Sequence, residues 1–187
     1  PYFVSHSAVD AYMFLIECEG KRILHTGDFR RHGYLGKGLF PTLKRYIGTV
    51  DFLIIEGTML GRQQEQVVSE HQIQLNTIQA LKEHKYIFAL CSSTDIDRLA
   101  SFHAACKATG RQFLMDSYQR KVLDVFTEYC GNKSSLYKFD HLFELQGNKP
   151  YRIEKITNYL KDKGFLMPVR MNSSWLIEDM MKVFTDE

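Results

Sequence analysis

Beyond residue 85 the chain alternates short apolar runs with amphipathic stretches, and this alternation restricts the fold more than any other feature of the sequence. Runs at 86–91, 112–115 and 165–169 have the length and apolar content of strands. Stretches at 95–108, 117–130, 151–163 and 174–184 carry helical spacing, with Gly164 as a stop and Ser173 or Ser174 as a cap. Strand and helix in turn, with short connections, predict a parallel sheet flanked by helices. Residues 137–143 fit either state. A further helix over 69–85 leads in, marked by Ser69 with Gln72 three residues on, and by the stripe Ile73, Ile78, Leu81. The class is α/β, with a Rossmann-like second region.

The first sixty residues read differently. Apolar runs at 2–4, 12–16, 22–24 and 50–55 predict strands, and Glu19-Gly20 is the turn of a hairpin joining the middle two. The near-continuous apolar run at 50–55 predicts a strand covered on both faces. Between them, glycines at 33–38 form a connection, and a short helix with Pro41 in its first turn ends near Gly48. The polar run from Gly61 to Gln66 has no apolar anchor and marks the passage between domains, which gives boundaries of 1–68 and 69–187.

Three of the early strands end just before residues with acid–base or metal-binding chemistry: His6, Asp28 and Glu56. Strand ends deliver side chains to a common cleft, and His with Asp suits zinc or manganese. Taken alone, His6 is as readily a surface residue as a ligand. In the second region, two loops lie at the carboxyl ends of predicted parallel strands, where such sheets bind ligands. Ser93 and Thr94 precede a helix whose amides suit a phosphate. Tyr118 suits stacking on a base and Arg120 suits a phosphate. Helix capping by Ser93, Thr94 or Ser117 is the plainer reading of these positions.

The pattern Val4-x-His6-Ser7-x-x-Asp10, a hairpin, Thr26-Gly27-Asp28-Phe29, then a strand ending in Glu56-Gly57-Thr58 resembles the second half of a metallo-β-lactamase-fold hydrolase of the β-CASP branch. That branch includes the ribonuclease J-like nucleases and the cleavage-factor endonucleases. The resemblance implies two divalent metals, zinc or alternatively manganese. It makes His6 a metal ligand, Asp28 the bridge between the ions and Glu56 an acid that organises the site. It implies a partial metallo-β-lactamase domain at 1–68 and a Rossmann-like β-CASP domain at 69–187. The implied substrate is single-stranded RNA or DNA, cleaved at phosphodiester bonds, with Arg30 and Arg31 on phosphates. The family's His-x-His-x-Asp-His run does not occur in these 187 residues, nor do its closing histidine motifs. The resemblance therefore implies an internal piece of a longer enzyme, inactive by itself.

Two other functions compete with this one. The chain is alternatively a non-catalytic nucleic-acid-binding module, or a Rossmann-like nucleotide binder. The latter calls for a glycine-rich loop after the first strand, and Gly36-Lys37-Gly38 lacks the strand-to-helix turn and the third glycine. A net charge of +2 announces no polyanion binder by itself, so nucleic-acid contact rests on local clusters such as Arg30-Arg31. No apolar run approaches the ~20 residues that cross a bilayer, and a cytoplasmic location is the default expectation. The four cysteines lack metal or disulfide spacing, which suits reduced thiols, with Cys91 and Cys106 packed as small apolar groups. His25, on the strand before Asp28, reads as a packing residue or a support of the site, and His71, His84, His103 and His141 read as surface or helix-face positions.

Overall fold

The computed structural model describes residues 1–8, 10–61, 67–129, 133–147 and 149–185, and its chain forms two compact units, Pro1–Glu70 and His71–Glu187. Most of the polar run at 61–66 and Cys130, the end of a predicted helix, lie outside the described residues. Among the described residues no helix is long and apolar enough to cross a membrane.

The first unit is a four-stranded sheet in the order β1 (Tyr2–Val4), β2 (Ala11–Cys18), β3 (Lys21–His25), β4 (Phe52–Ile54). The β2–β3 hairpin is antiparallel, as is β1 with β2, while β4 runs parallel to β3. Val4, Met13 and Leu24 bury one face of it against Ile47, with Leu39 and Leu43 packed alongside. Those last three residues belong to a continuous helical stretch: a tight 3₁₀ turn at Leu35–Gly38, α1 at Leu39–Thr42 and a wide turn at Leu43–Ile47. Gly36 and Gly38 thus lie inside helical turns and not in an open connection.

β4 departs from the expectation of a strand covered on both faces. Phe52, Leu53 and Ile54 are 58%, 54% and 52% exposed. The reason is position: β4 ends the sheet and has a bonded neighbour on one side only, while the core of this unit gathers around Met13 and Leu24.

The second unit opens with α2 (Glu70–Glu83). It continues as β5 (Tyr86–Leu90), α3 (Ile96–Thr109), β6 (Gln112–Asp116), α4 (Ser117–Tyr129), β7 (Leu142–Leu145), α5 (Glu154–Lys163), β8 (Phe165–Val169) and α6 (Ser174–Met181). The unit is α/β: all four strands are parallel, in the order β5-β8-β6-β7. The last strand in sequence therefore lies inside the sheet. Leu114, Phe165, Met167 and Val169 point to one face, where Leu160 of α5 and Met180 of α6 complete the main core. Phe113, one residue out of that alternation, meets the ring of His103 from α3 on the other face.

β8 contains Pro168, a residue that cannot donate to a ladder. β6 and β8 bond only at Gln112–Phe165 and Phe113–Leu166 and then part, so Pro168 lies beyond their shared ladder. The strands that part here are bridged at their carboxyl ends by Arg170 and Asp116, 2.9 Å apart.

His103 lies on a face of α3, one of the two positions expected from sequence, and that face is buried. Its Nε2–H donates to the Asp140 carbonyl at 2.7 Å, and its ring packs on Phe113 and Phe139. Burial holds the imidazole below its ordinary range, despite the Asp140 carboxylate 3.6 Å away. That carboxylate is already matched by Lys107 at 2.8 Å, so it gives a proton on His103 little help. Cys106 is buried too and its thiol is pushed up to about 12, as suits a packed apolar group, whereas Cys91 is only part-buried.

Two outcomes follow from this packing. Because the unfolded chain protonates His103 more readily than the folded one, stability is complete above the ordinary histidine value of 6.5 and falls as pH drops below it. Urea denaturation between about pH 7 and pH 5 should show that fall, and His103→Gln should flatten it. Gly164 has φ +67°, and a Cβ there would lie 2.5 Å from the Lys85 carbonyl oxygen. Gly164→Ala should therefore lower stability by about 1–3 kcal/mol in thermal denaturation.

Candidate functional site

Strand direction in the first unit decides where its chemistry collects. β1 and β3 are both antiparallel to β2, and β4 is parallel to β3, so the carboxyl ends of β1, β3 and β4 share one edge. His6, Asp28 and Glu56 follow those three ends.

Backbone bonds tie the three loops together. The Arg30 N–H donates to the Ser5 carbonyl at 2.6 Å, and the Thr26 N–H to the Ile54 carbonyl at 2.9 Å. The Glu56 carboxylate accepts the Phe29 N–H at 2.9 Å and also the Thr58 hydroxyl. Gly27 has φ +55°, and a Cβ on it would stand 2.7 Å from the Tyr12 carbonyl oxygen. Only glycine allows the Thr-Gly-Asp turn to pass this close to β2.

The Phe29 N–H, then the Thr58 hydroxyl, hold the Glu56 carboxyl below the usual carboxylate range, with His6 and Arg30 adding positive charge nearby. His6 has Ser7 Oγ 3.3 Å from its Nδ1. Asp28 is exposed on the same turn. Arg31 lies over the ring of Phe40, its guanidinium 4.5 Å from the centroid, so a cation–π contact occupies one face of the group expected to meet phosphate.

A metal ion calls for three or more protein ligands. Among the described residues no group of three His, Cys, Asp or Glu side chains comes together to hold one. His6 and Asp28 alone do not make a metal site.

The second unit places its candidate residues at the carboxyl edge of the parallel sheet. A cavity of about 450 Å³ there is lined by Ser92, Ser93, Thr94, Tyr118 and Arg170, among others. Arg120 does not line it; its Nε bonds both oxygens of Asp124 one turn along α4. The helix caps are Asp95, which accepts the Arg98 N–H, and Asp116, which accepts the Gln119 N–H at 2.8 Å. The expectation that Ser93, Thr94 or Ser117 would cap gives way here to the acidic neighbours, whose carboxylates are stronger acceptors near a helix N-terminus.

Arg170 is the residue that sequence reasoning passed over. It follows β8 directly, the same strand-end position that singled out Ser93 after β5 and Tyr118 after β6. Its guanidinium pairs with Asp116 and lies 4.7 Å over the Tyr118 ring. It also lines a second cavity, of about 260 Å³, with Trp175 and Lys149.

The sequence matches no family model and no curated protein sequence. Among solved structures, a protein of unknown function from Enterococcus faecalis V583 is similar in fold. Its TM-score is 0.62 at 18% identity, over 91% of this chain and 41% of that one. The chain thus spans about two fifths of the length of that structure.

The Glu56 bridge yields a test of its own. Glu56→Gln should cost about 1 kcal/mol at neutral pH, since a neutral acceptor replaces a charged one at the Phe29 amide. The lowered carboxyl contributes stability above its ordinary value of 4.5, and that contribution is lost as pH falls through the lower folded value. Acid titration of the first unit by circular dichroism should show this step in the native sequence and not in the variant.

Proposed function

We propose that this chain is part of a metal-dependent hydrolase of the metallo-β-lactamase fold, β-CASP branch, that cleaves phosphodiester bonds in single-stranded RNA or DNA. The observation that carries the reading is the Glu56–Phe29 bond, which binds the strand-end loops bearing Asp28 and Glu56 at the edge they share with His6. In this reading residues 1–68 belong to the metallo-β-lactamase domain and 69–187 to the β-CASP domain.

His6 and Asp28 are ligands of a two-ion centre, zinc or manganese, whose other ligands come from polypeptide beyond these residues. Glu56 positions the Asp28 turn, Arg30 and Arg31 meet phosphates, and Ser93, Thr94, Tyr118 and Arg120 contact the strand. A cytoplasmic location goes with this activity. Among the described residues too few ligands come together to hold an ion, and in this reading the chain is inactive by itself.

The cavity walled by Ser93, Tyr118 and Arg170 favours a second reading, a nucleic-acid-binding module with no catalysis of its own. Elemental analysis separates the two. The hydrolase reading expects two ions per molecule in a form extended at both ends, and less than one in the 187-residue chain. Asp28→Ala in the extended form should then lower both metal content and cleavage of single-stranded RNA, the latter by about a hundredfold or more. An extended form without metal overturns the hydrolase and leaves the binding module.

A further inference from the structure

We propose that the second unit binds a nucleoside phosphate in the cavity at the carboxyl ends of β5 and β8, with Arg170 and Ser93 as the phosphate ligands. The Ser93 hydroxyl and the Arg170 Nε are both buried and have no hydrogen-bond partner among the described residues. Buried polar atoms nearly always have one, and an orphan carries a desolvation cost that a ligand removes. Ser93 is 4% exposed and reaches the surface only in the wall of this cavity. Both residues stand in the wall of the same cavity, about 450 Å³ in volume, which is the size class that holds nucleotide-sized molecules.

The arginine is fixed in place. Asp116 grips its guanidinium along one edge at 2.9 Å and the Tyr118 ring underlies its face. A guanidinium held in this way presents its remaining N–H groups as a rigid fork, the geometry that matches two oxygens of a phosphate. Asp116 offsets the arginine's charge, so the site selects by donor geometry more than by long-range attraction.

The helix N-terminus beside the cavity is not the ligand. At α3, the Thr94 amide turns to Ser92 Oγ, the Asp95 amide to the Ser92 carbonyl, the Ile96 amide to the Thr94 carbonyl and the Arg98 amide to the Asp95 carboxylate. The orphaned donors in the cavity wall are the side chains of Ser93 and Arg170. Leu90, Met171 and the half-exposed ring of Tyr118 also line the cavity and give it apolar surface suited to a base.

Two sources carry this chemistry: a free mononucleotide, or one nucleotide of a single strand. Only the second rests on the hydrolase reading. Isothermal titration of the 187-residue chain in buffer containing EDTA distinguishes them, with AMP, adenosine and a short oligothymidine lacking terminal phosphates as probes. AMP should bind and adenosine should not. Ser93→Ala should weaken AMP about tenfold, the loss expected for one hydrogen bond to a charged group. Because it removes a hydroxyl with no internal partner, this variant should melt at the native temperature, which separates lost binding from lost folding. Arg170→Met should weaken binding by about a hundredfold or more. Oligothymidine binding with the same losses, and no AMP binding, assigns the site to a polymer. Failure of AMP and oligothymidine at millimolar concentration, or binding that both variants leave intact, overturns the site. Since chelator is present throughout, absence of metal from the extended form would sink the hydrolase and leave this readout untouched.

Discussion

The second unit depends on β8. All five of its residues are buried, and it bonds β5 on one side and β6 on the other. The Phe165 ring touches Tyr86 and Phe88 of β5 and Phe184 after α6, so segments from both ends of the unit converge on it. β5 cannot reach its neighbour until a segment of roughly eighty residues has closed, a costly step that local helices cannot replace.

The same strand shapes the candidate ligand site. β6 and β7 pair as far as Asp116, while β6 and β8 part after Phe113. The gap leaves room at the carboxyl edge, and Arg170 and Asp116 close it with an ion pair in place of backbone bonds. An arginine beside an opened ladder combines a rigid anchor with donors turned away from the sheet. In the first unit the equivalent organiser is a carboxylate: Glu56 satisfies the Phe29 amide at the end of β3 from the end of β4.

Much of this was legible in the residues. The alternation beyond 85 gave strands and helices close to their observed positions because each has its own period, 2 or 3.6, written locally. The order β5-β8-β6-β7 was not legible, since which strand occupies the centre is decided by packing between distant segments. Local signals also failed where burial is a tertiary matter. The apolar run ending in β4 looks like a core strand and lies at an edge, whereas His103 reads as a surface or helix-face residue and lies on a helix face enclosed by Phe113 and Phe139. At the candidate sites, His6, Asp28 and Glu56 stood out because each follows a strand. Arg170 follows one too, but its strand contains Pro168 and ends without a motif, so only the geometry around Tyr118 singles it out.

The edge strand has a consequence for how the protein behaves in solution. Phe52, Leu53, Ile54 and Ile55 form an uncharged exposed segment, the composition that templates strand pairing between molecules. It is flanked by two acids, Asp51 and Glu56, which act as gatekeepers by mutual repulsion between approaching chains. Both carboxyls are held below the usual range: Asp51 by the Arg22 amide and Lys21, Glu56 by the Phe29 amide and Thr58. The charge that guards this edge is thus maintained by native hydrogen bonds. Colloidal stability in mild acid is then a property of the folded unit and not of its composition, because unfolding removes the bonds that keep both guards charged.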